Sequence, residues 1–199
     1  MGFQVKEDGN WRSFRHRNYR ILFPANSVSN IGSWAQRIAQ DWLVLELTNN
    51  NGTYLGLVTA VQFAPVLAFS LHGGKLADRF NKRKVLILTN IIGGAASLAL
   101  GALVMTDLIA LWHVFVLAGI LGISTAIDAP VRQAFTTEVV GQTDLPNAVS
   151  LNSANFNAGR LVGPAISGGL IAAFGTGPSF IVNGLSYFFV IAALANLNE

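Results

Sequence analysis

The 199-residue chain is 52% hydrophobic and 12% charged, a charge fraction about half the ~25% of a soluble domain. That balance excludes a globular domain with one apolar core and predicts a polytopic, all-α membrane protein. With no cysteine, disulfides and thiolate metal sites are excluded; the net charge of +3 resides in loops and is a poor argument for nucleic acid.

Residues 1–18 form a basic amphipathic opening segment in which Trp11, Arg12, Phe14, Arg15, His16 and Arg17 mix cations with aromatics. Such a segment suits an anionic inner leaflet and acts as an orientation signal. It lacks the apolar stretch of a cleaved signal peptide, so the first helix is expected to open the membrane domain, residues 19–199.

Helix 1 is expected over 19–47, although Asn26, Asn30, Gln36, Arg37, Gln40 and Asp41 interrupt it. A central Arg or Asp costs about 2.5–3.5 kcal/mol in lipid, so this face must turn into a bundle or a wet cavity. Arg37 and Asp41 lie one helical turn apart on one face. Asp41 reads either as a proton carrier or as an ionic partner for Arg37.

The Asn49-Asn50-Asn51-Gly52 turn leads to helix 2, 53–73, with Gln62 and Pro65 near its middle. A basic loop containing Gly74, Lys75, Asp78, Arg79, Lys82 and Arg83 follows. A loop this charged stays in water on the cytoplasmic side. Helix 3, 85–106, carries Gly93-Gly94-Ala95-Ala96-Ser97, small residues that admit close helix approach. Helix 4 is expected over 108–127, with His113, like His72, a headgroup-level residue.

Residues 128–146 are expected to be a cytoplasmic loop holding Asp128 and Arg132, with a short interfacial helix to about Val140. An acid followed by Pro130 resembles a first helical turn. Helix 5, 146–174, holds Asn157 and Arg160 in its first half and Gly163, Pro164 and Gly168 in its second. Helix 6, 179–197, completes six spans. Cations are confined to the N-terminal segment, the central loop and the Arg132 loop, apart from Arg37 and Arg160. That placement puts both termini in the cytoplasm. Pro65 and Pro164 at matching positions suggest two inverted three-helix repeats.

The stretch from Gly74 through Lys84, with Asp78-Arg79 and its basic cluster, resembles the loop between helices 2 and 3 of the major facilitator superfamily. Asn81 stands where that family has glycine, and asparagine tolerates the left-handed conformation better than most residues. The run Gly159, Gly163-Pro164, Ser167-Gly168 resembles the helix 5 motif of proton-antiporting exporters. Gln40-Asp41-Trp42, Gln62-Phe63-Ala64-Pro65 and Asp128-Ala129-Pro130-Val131-Arg132-Gln133 resemble the branch containing the enterobactin exporter and related secretion and drug-efflux permeases.

This resemblance implies the N-terminal half of a secondary active transporter in a bacterial inner membrane. The half would export a siderophore, drug or amphipathic metabolite, driven by a coupling ion, H+ by expectation. It implies a gating role for Gly74, Asp78, Arg79, Lys82 and Arg83. The candidate proton or substrate pathway is Arg37, Asp41, Gln62, Asn157 and Arg160, and Gly159, Gly163, Pro164 and Gly168 form the helix 5 motif. No enzymatic site, metal or cofactor is expected. The expected partners are lipid, a small-molecule substrate, and a C-terminal six-helix half or a second copy. The competing expectation is a non-transporting six-helix membrane protein, or a truncated fragment, with an assembly or sensing role.

Overall fold

The computed structural model describes residue 9, residues 11–69 and residues 80–197. Among them no strand occurs. A short 3-10 turn, Arg12–Arg15, precedes five helices: α1 (Arg17–Leu47), α2 (Gly52–Phe69), α3 (Lys82–Met105), α4 (Leu111–Phe174) and α5 (Gly177–Ala195). Four of them, α2 to α5, are long and apolar enough to cross a membrane. The exception, α1, carries the polar interruptions read from its sequence.

Helix boundaries follow local chemistry. Asn49 and Asn50 adopt φ of 52° and 64°, a left-handed region that asparagine tolerates, and Asn51 Oδ1 accepts the Thr53 N–H at 3.0 Å to start α2. Asn81 does not take the left-handed conformation expected of it. It is extended at φ −63° and ψ 108°, and its side chain accepts the Lys84 N–H as the N-cap of α3. A glycine would lack that acceptor. His113 departs from a purely interfacial role: its Nδ1 accepts the Ala110 N–H at 3.0 Å, closing the first turn of α4.

The largest departure from expectation is α4. At ~1.5 Å per residue a straight 64-residue helix would run about 96 Å, roughly three times a ~30 Å hydrocarbon core. One residue breaks it. Gly141, at φ 71° and ψ 169°, occupies a region essentially reserved for glycine, and divides α4 into limbs 111–140 and 142–174. The first limb runs unbroken through Pro130, so residues 128–140 are neither a loop nor a separate interfacial helix. Asp128 and Arg132, expected in a cytoplasmic loop, lie on this limb. The ion pair between them staples the turn that Pro130 weakens by removing a backbone donor.

The helices pack as a bundle in which α1 and α3 each contact both α4 and α5, while α2 rests chiefly on α4. Two apolar clusters hold the two ends. Leu43, Val44, Val58, Leu100, Val114 and Phe180 pack at the end bearing the 48–51 turn. Leu22, Leu86, Val131, Val190 and Leu194 pack at the opposite end. Small residues set the close approaches between helices: a Cβ on Gly93 or Gly94 would meet Tyr187 of α5, and one on Gly122 would meet the Gln62 backbone of α2.

The opening segment does not simply lie outward toward a leaflet. Phe14 makes edge contacts with Tyr19 and Phe23 at 5.4 and 5.1 Å. Arg12, Arg15 and His16 converge on the buried Asp144 at 3.4, 3.3 and 2.8 Å. Ser13 Oγ donates to Asn147 Oδ1 at 2.8 Å. The base of the second limb of α4 is thereby clasped to the start of α1. Asp144 precedes the expected span 146–174, and its hydrogen bond with His16, followed by Arg15, holds its carboxyl below the usual carboxylate range against the opposing effect of burial.

Candidate functional site

Between the two apolar ends lies a polar layer. Gln36, Gln40, Thr89, Asn90, Ser97, Ser124 and Asn183 are buried there, and a cavity of about 520 Å³ opens beside them. That volume falls within the ~300–1,000 Å³ of small-molecule pockets. Its wall is drawn from every helix of the bundle. Asn30, Trp34 and Arg37 come from α1, Gln62 and Phe63 from α2, Asn90 from α3, Asp128, Arg132 and Phe156 from α4, and Tyr187 from α5.

The strongest electrostatic feature is the Asp128–Arg132 pair. Arg132 Nε donates to Asp128 Oδ1 at 2.6 Å and its Nη2 to Oδ2 at 2.9 Å, a two-point contact. Arg132 Nη1 reaches Asn26 Oδ1 at 2.6 Å. Thr89 Oγ1 and Asn90 Nδ2 donate to Asp128 Oδ2 at 2.7 and 3.2 Å. Both charges are thus matched by hydrogen bonds, the condition for holding an ion pair away from water.

Two carboxamide contacts cross the layer: Asn183 Nδ2 donates to Gln36 Oε1 at 2.7 Å, and Gln40 Nε2 to Gln62 Oε1 at 3.0 Å. The proposed pathway residues divide. Arg37 and Gln62 line the cavity. The Arg37 guanidinium sits between two rings, 4.9 Å from the centroids of Trp34 and Phe63. Arg160 is exposed and stands 6.0 Å from the Trp34 ring, off the cavity wall. Asp41 is half-buried, does not line the cavity, and makes no ion pair with Arg37 among the described residues. Asn157 is exposed, and its side chain donates back to Ser153 O at 2.9 Å.

The helix 5 motif lies on the second limb of α4. A Cβ on Gly159 would meet Asn30, and one on Gly163 would meet Trp34 and Ala35. These glycines seat the limb against α1. Pro164 lies within the limb, while Gly168 is exposed with open space around it. Of the gating-loop residues, Gly74, Asp78 and Arg79 lie outside the described residues, as does His72. Lys82 and Arg83 are described. Lys82 Nζ meets Glu138 Oε1 at 2.7 Å, and Arg83 Nη2 donates to Ala195 O at 2.8 Å, satisfying a carbonyl at the end of α5.

Asn90, Asn183 and Tyr187 escaped the sequence reading as site residues. Their signal was present: isolated polar groups in otherwise apolar helices face the bundle interior or a cavity.

A family profile described as "Transmembrane secretion effector" matches residues 8–199, nearly the whole chain. The chain belongs to this family of major facilitator transporters.

Membership accords with the apolar helices and makes the chain an integral bacterial membrane protein of a transporter family rather than an enzyme family. It is similar to the staphyloferrin A transporter of Staphylococcus aureus, 28% identical over 86% of this chain and 43% of that protein. It is 29% identical to the multidrug efflux pump Tap of Mycolicibacterium fortuitum over 78% of this chain and 39% of the pump. It is 21% identical to the enterobactin exporter EntS of Shigella flexneri over 92% of this chain and 45% of the exporter. The chain thus spans less than half the length of these curated relatives.

Proposed function

We propose that the chain is the N-terminal half of a secondary active exporter, with six spans formed by α1, α2, α3, the two limbs of α4, and α5. On this reading α1 to α3 and α4 to α5 are two inverted three-helix repeats, residues 19–199 form the membrane domain, and both termini are cytoplasmic. The cavity at mid-depth is the substrate site, where transporter sites lie. A small molecule (a siderophore, drug or amphipathic metabolite) crosses by alternating access once a C-terminal six-helix half or a second copy closes the open side. Protons are the proposed coupling ion and Asp41 the proposed carrier, with Asp78 and Arg79 acting as a latch that opens as the protein changes face.

The observation that carries this reading is the polar layer enclosed between two apolar ends. Hydrogen-bonded carboxamides and a matched ion pair beside a 520 Å³ cavity are costly in a membrane unless they serve passage. The exposed sides of α2 and of the second limb, with Leu67 75% and Leu161 78% exposed, supply faces for a second half.

Reconstitution into liposomes under an imposed pH gradient tests it. The chain co-reconstituted with a complementary six-helix half should extrude a fluorescent amphipathic dye, and Asp41→Asn should abolish the gradient dependence. Absence of transport both alone and with the complement would reject the exporter reading in favour of an assembly or sensing role. Because the chain has no cysteine, single cysteines at residues 49 and 106 test the orientation without background labelling. Modification from the cytoplasmic side alone would refute it.

A further inference from the structure

Arg37 lines the cavity beside Trp34, Arg160 stands 6.0 Å from the same ring outside the lining, and neither forms an ion pair among the described residues. We infer that the cavity selects organic anions with a flat apolar body, the Arg37 guanidinium, held by the Trp34 and Phe63 rings, receiving the anionic group and the aromatic wall beyond it bounding the body. This inference rests on the proposal that the cavity is the substrate site.

Charge bookkeeping around the cavity supports it. The Asp128 carboxylate also lines the cavity, but Arg132, Thr89 and Asn90 already occupy it. Asp41 lies one turn along α1 from Arg37 and outside the lining. Its carboxylate is felt by Arg37 but forms no ion pair with it, so the charge presented to the cavity at this edge is positive. A guanidinium stacked on aromatic rings keeps its in-plane N–H donors free, and these match a carboxylate at two points. Stacking holds Arg37 in place before a ligand arrives, so less freedom is lost on binding. Phe156, at 5.5 Å edge-on to Trp34, extends the apolar wall. A cation of the same shape meets Arg37 head-on and Arg160 nearby.

Three probes sharing one ring system separate the possibilities: 2-naphthoate, 2-naphthamide and 2-naphthylmethylammonium, titrated calorimetrically into the full chain in lipid nanodiscs. The carboxylate should bind at least tenfold more tightly than the amide, with the ammonium weakest. Arg37→Gln should bring the carboxylate to the level of the amide. Arg37→Lys should retain part of the preference, and Arg160→Gln should weaken it less than Arg37→Gln. Unchanged melting temperatures in all variants show that the loss is local.

Equal affinity for carboxylate and amide, no binding of the carboxylate, or a preference for the ammonium would overturn the inference. Binding is read without a gradient, so the two proposals fail separately. Anion-selective binding without transport, even with a complementary half, removes the exporter reading alone. Transport with no anion preference removes this inference alone.

Discussion

Asn183 of α5 donates through Nδ2 to Gln36 Oε1 of α1 at 2.7 Å, across 147 residues of sequence. Both side chains are buried, at 2% and 4% exposure, and both belong to the wall of the cavity. Ser33 Oγ donates to Asn183 Oδ1 at 3.4 Å, and Ser186 Oγ donates to the Asn183 backbone carbonyl at 2.7 Å. Asn183 is therefore a junction between two helices rather than a tolerated polar intruder.

Asn183→Leu should cost about 2 kcal/mol, because Gln36 is left buried without its partner. Replacing both residues by leucine should cost less than the sum of the single changes. The coupling expected from helix contacts in membranes is ~1 kcal/mol. Unfolding of the four proteins of the cycle in detergent micelles measures it; strict additivity would contradict the junction.

The Asp128–Arg132 pair predicts a similar asymmetry. The partners are 19% and 30% exposed, so Asp128→Ala should cost about 2 kcal/mol, less than the ~3–5 of a fully buried pair. Asp128→Ala combined with Arg132→Leu should recover much of the loss. Thermal melting of the single and double variants decides this.

Acid should release the clasp on Asp144. Its carboxyl is held below the usual range in the folded chain, so its stabilisation is complete above the ordinary carboxylate pKa of ~3.9. The contribution is lost as pH falls through the depressed folded value. The three partners are about one-third exposed, which limits the clasp to about 1 kcal/mol. Hydrogen exchange of residues 11–16 should therefore quicken as pH falls below about 4, after correction for intrinsic rates. Asp144→Asn should exchange quickly at neutral pH and lose the acid step.

Gly141→Ala and Gly141→Asn should each cost about 1–3 kcal/mol. Space is not the obstacle, since nothing lies within 4 Å of a Cβ there. The cost is the backbone at φ 71° and ψ 169°, which differs from the left-handed region that asparagine enters readily. A spectroscopic distance between spin labels on the two limbs should broaden in these variants. Asparagine that matched glycine in stability would refute this account.

Features set by neighbours in sequence were the most legible. The asparagine run from Asn49 to Asn51 marks a turn, and the small residues at Gly93 and Gly94 mark close packing; both follow from the residues' own geometry. The polar face of α1 was legible too, since Gln36, Arg37 and Gln40 could not face lipid. The Asp128–Arg132 stretch misled because an acid followed by proline opens many helices. What keeps this helix continuous is a set of partners distant in sequence, Asn26 on α1 and Thr89 and Asn90 on α3. Asn81 misled for a related reason: its side chain caps α3, a role that the comparison with glycine did not suggest. Gly141, between Val140 and Gln142, carried no local signal beyond being a glycine.

The reliance of α1 on late partners bears on how the protein is made. Its buried carboxamide finds its counterpart only once α5 has left the ribosome, some 147 residues on. During synthesis a helix with Gln36, Arg37 and Gln40 on one side would sit poorly in acyl chains. The insertion machinery must hold it or return it to the membrane afterwards. Premature termination before residue 183 should therefore yield a first helix that is quickly degraded.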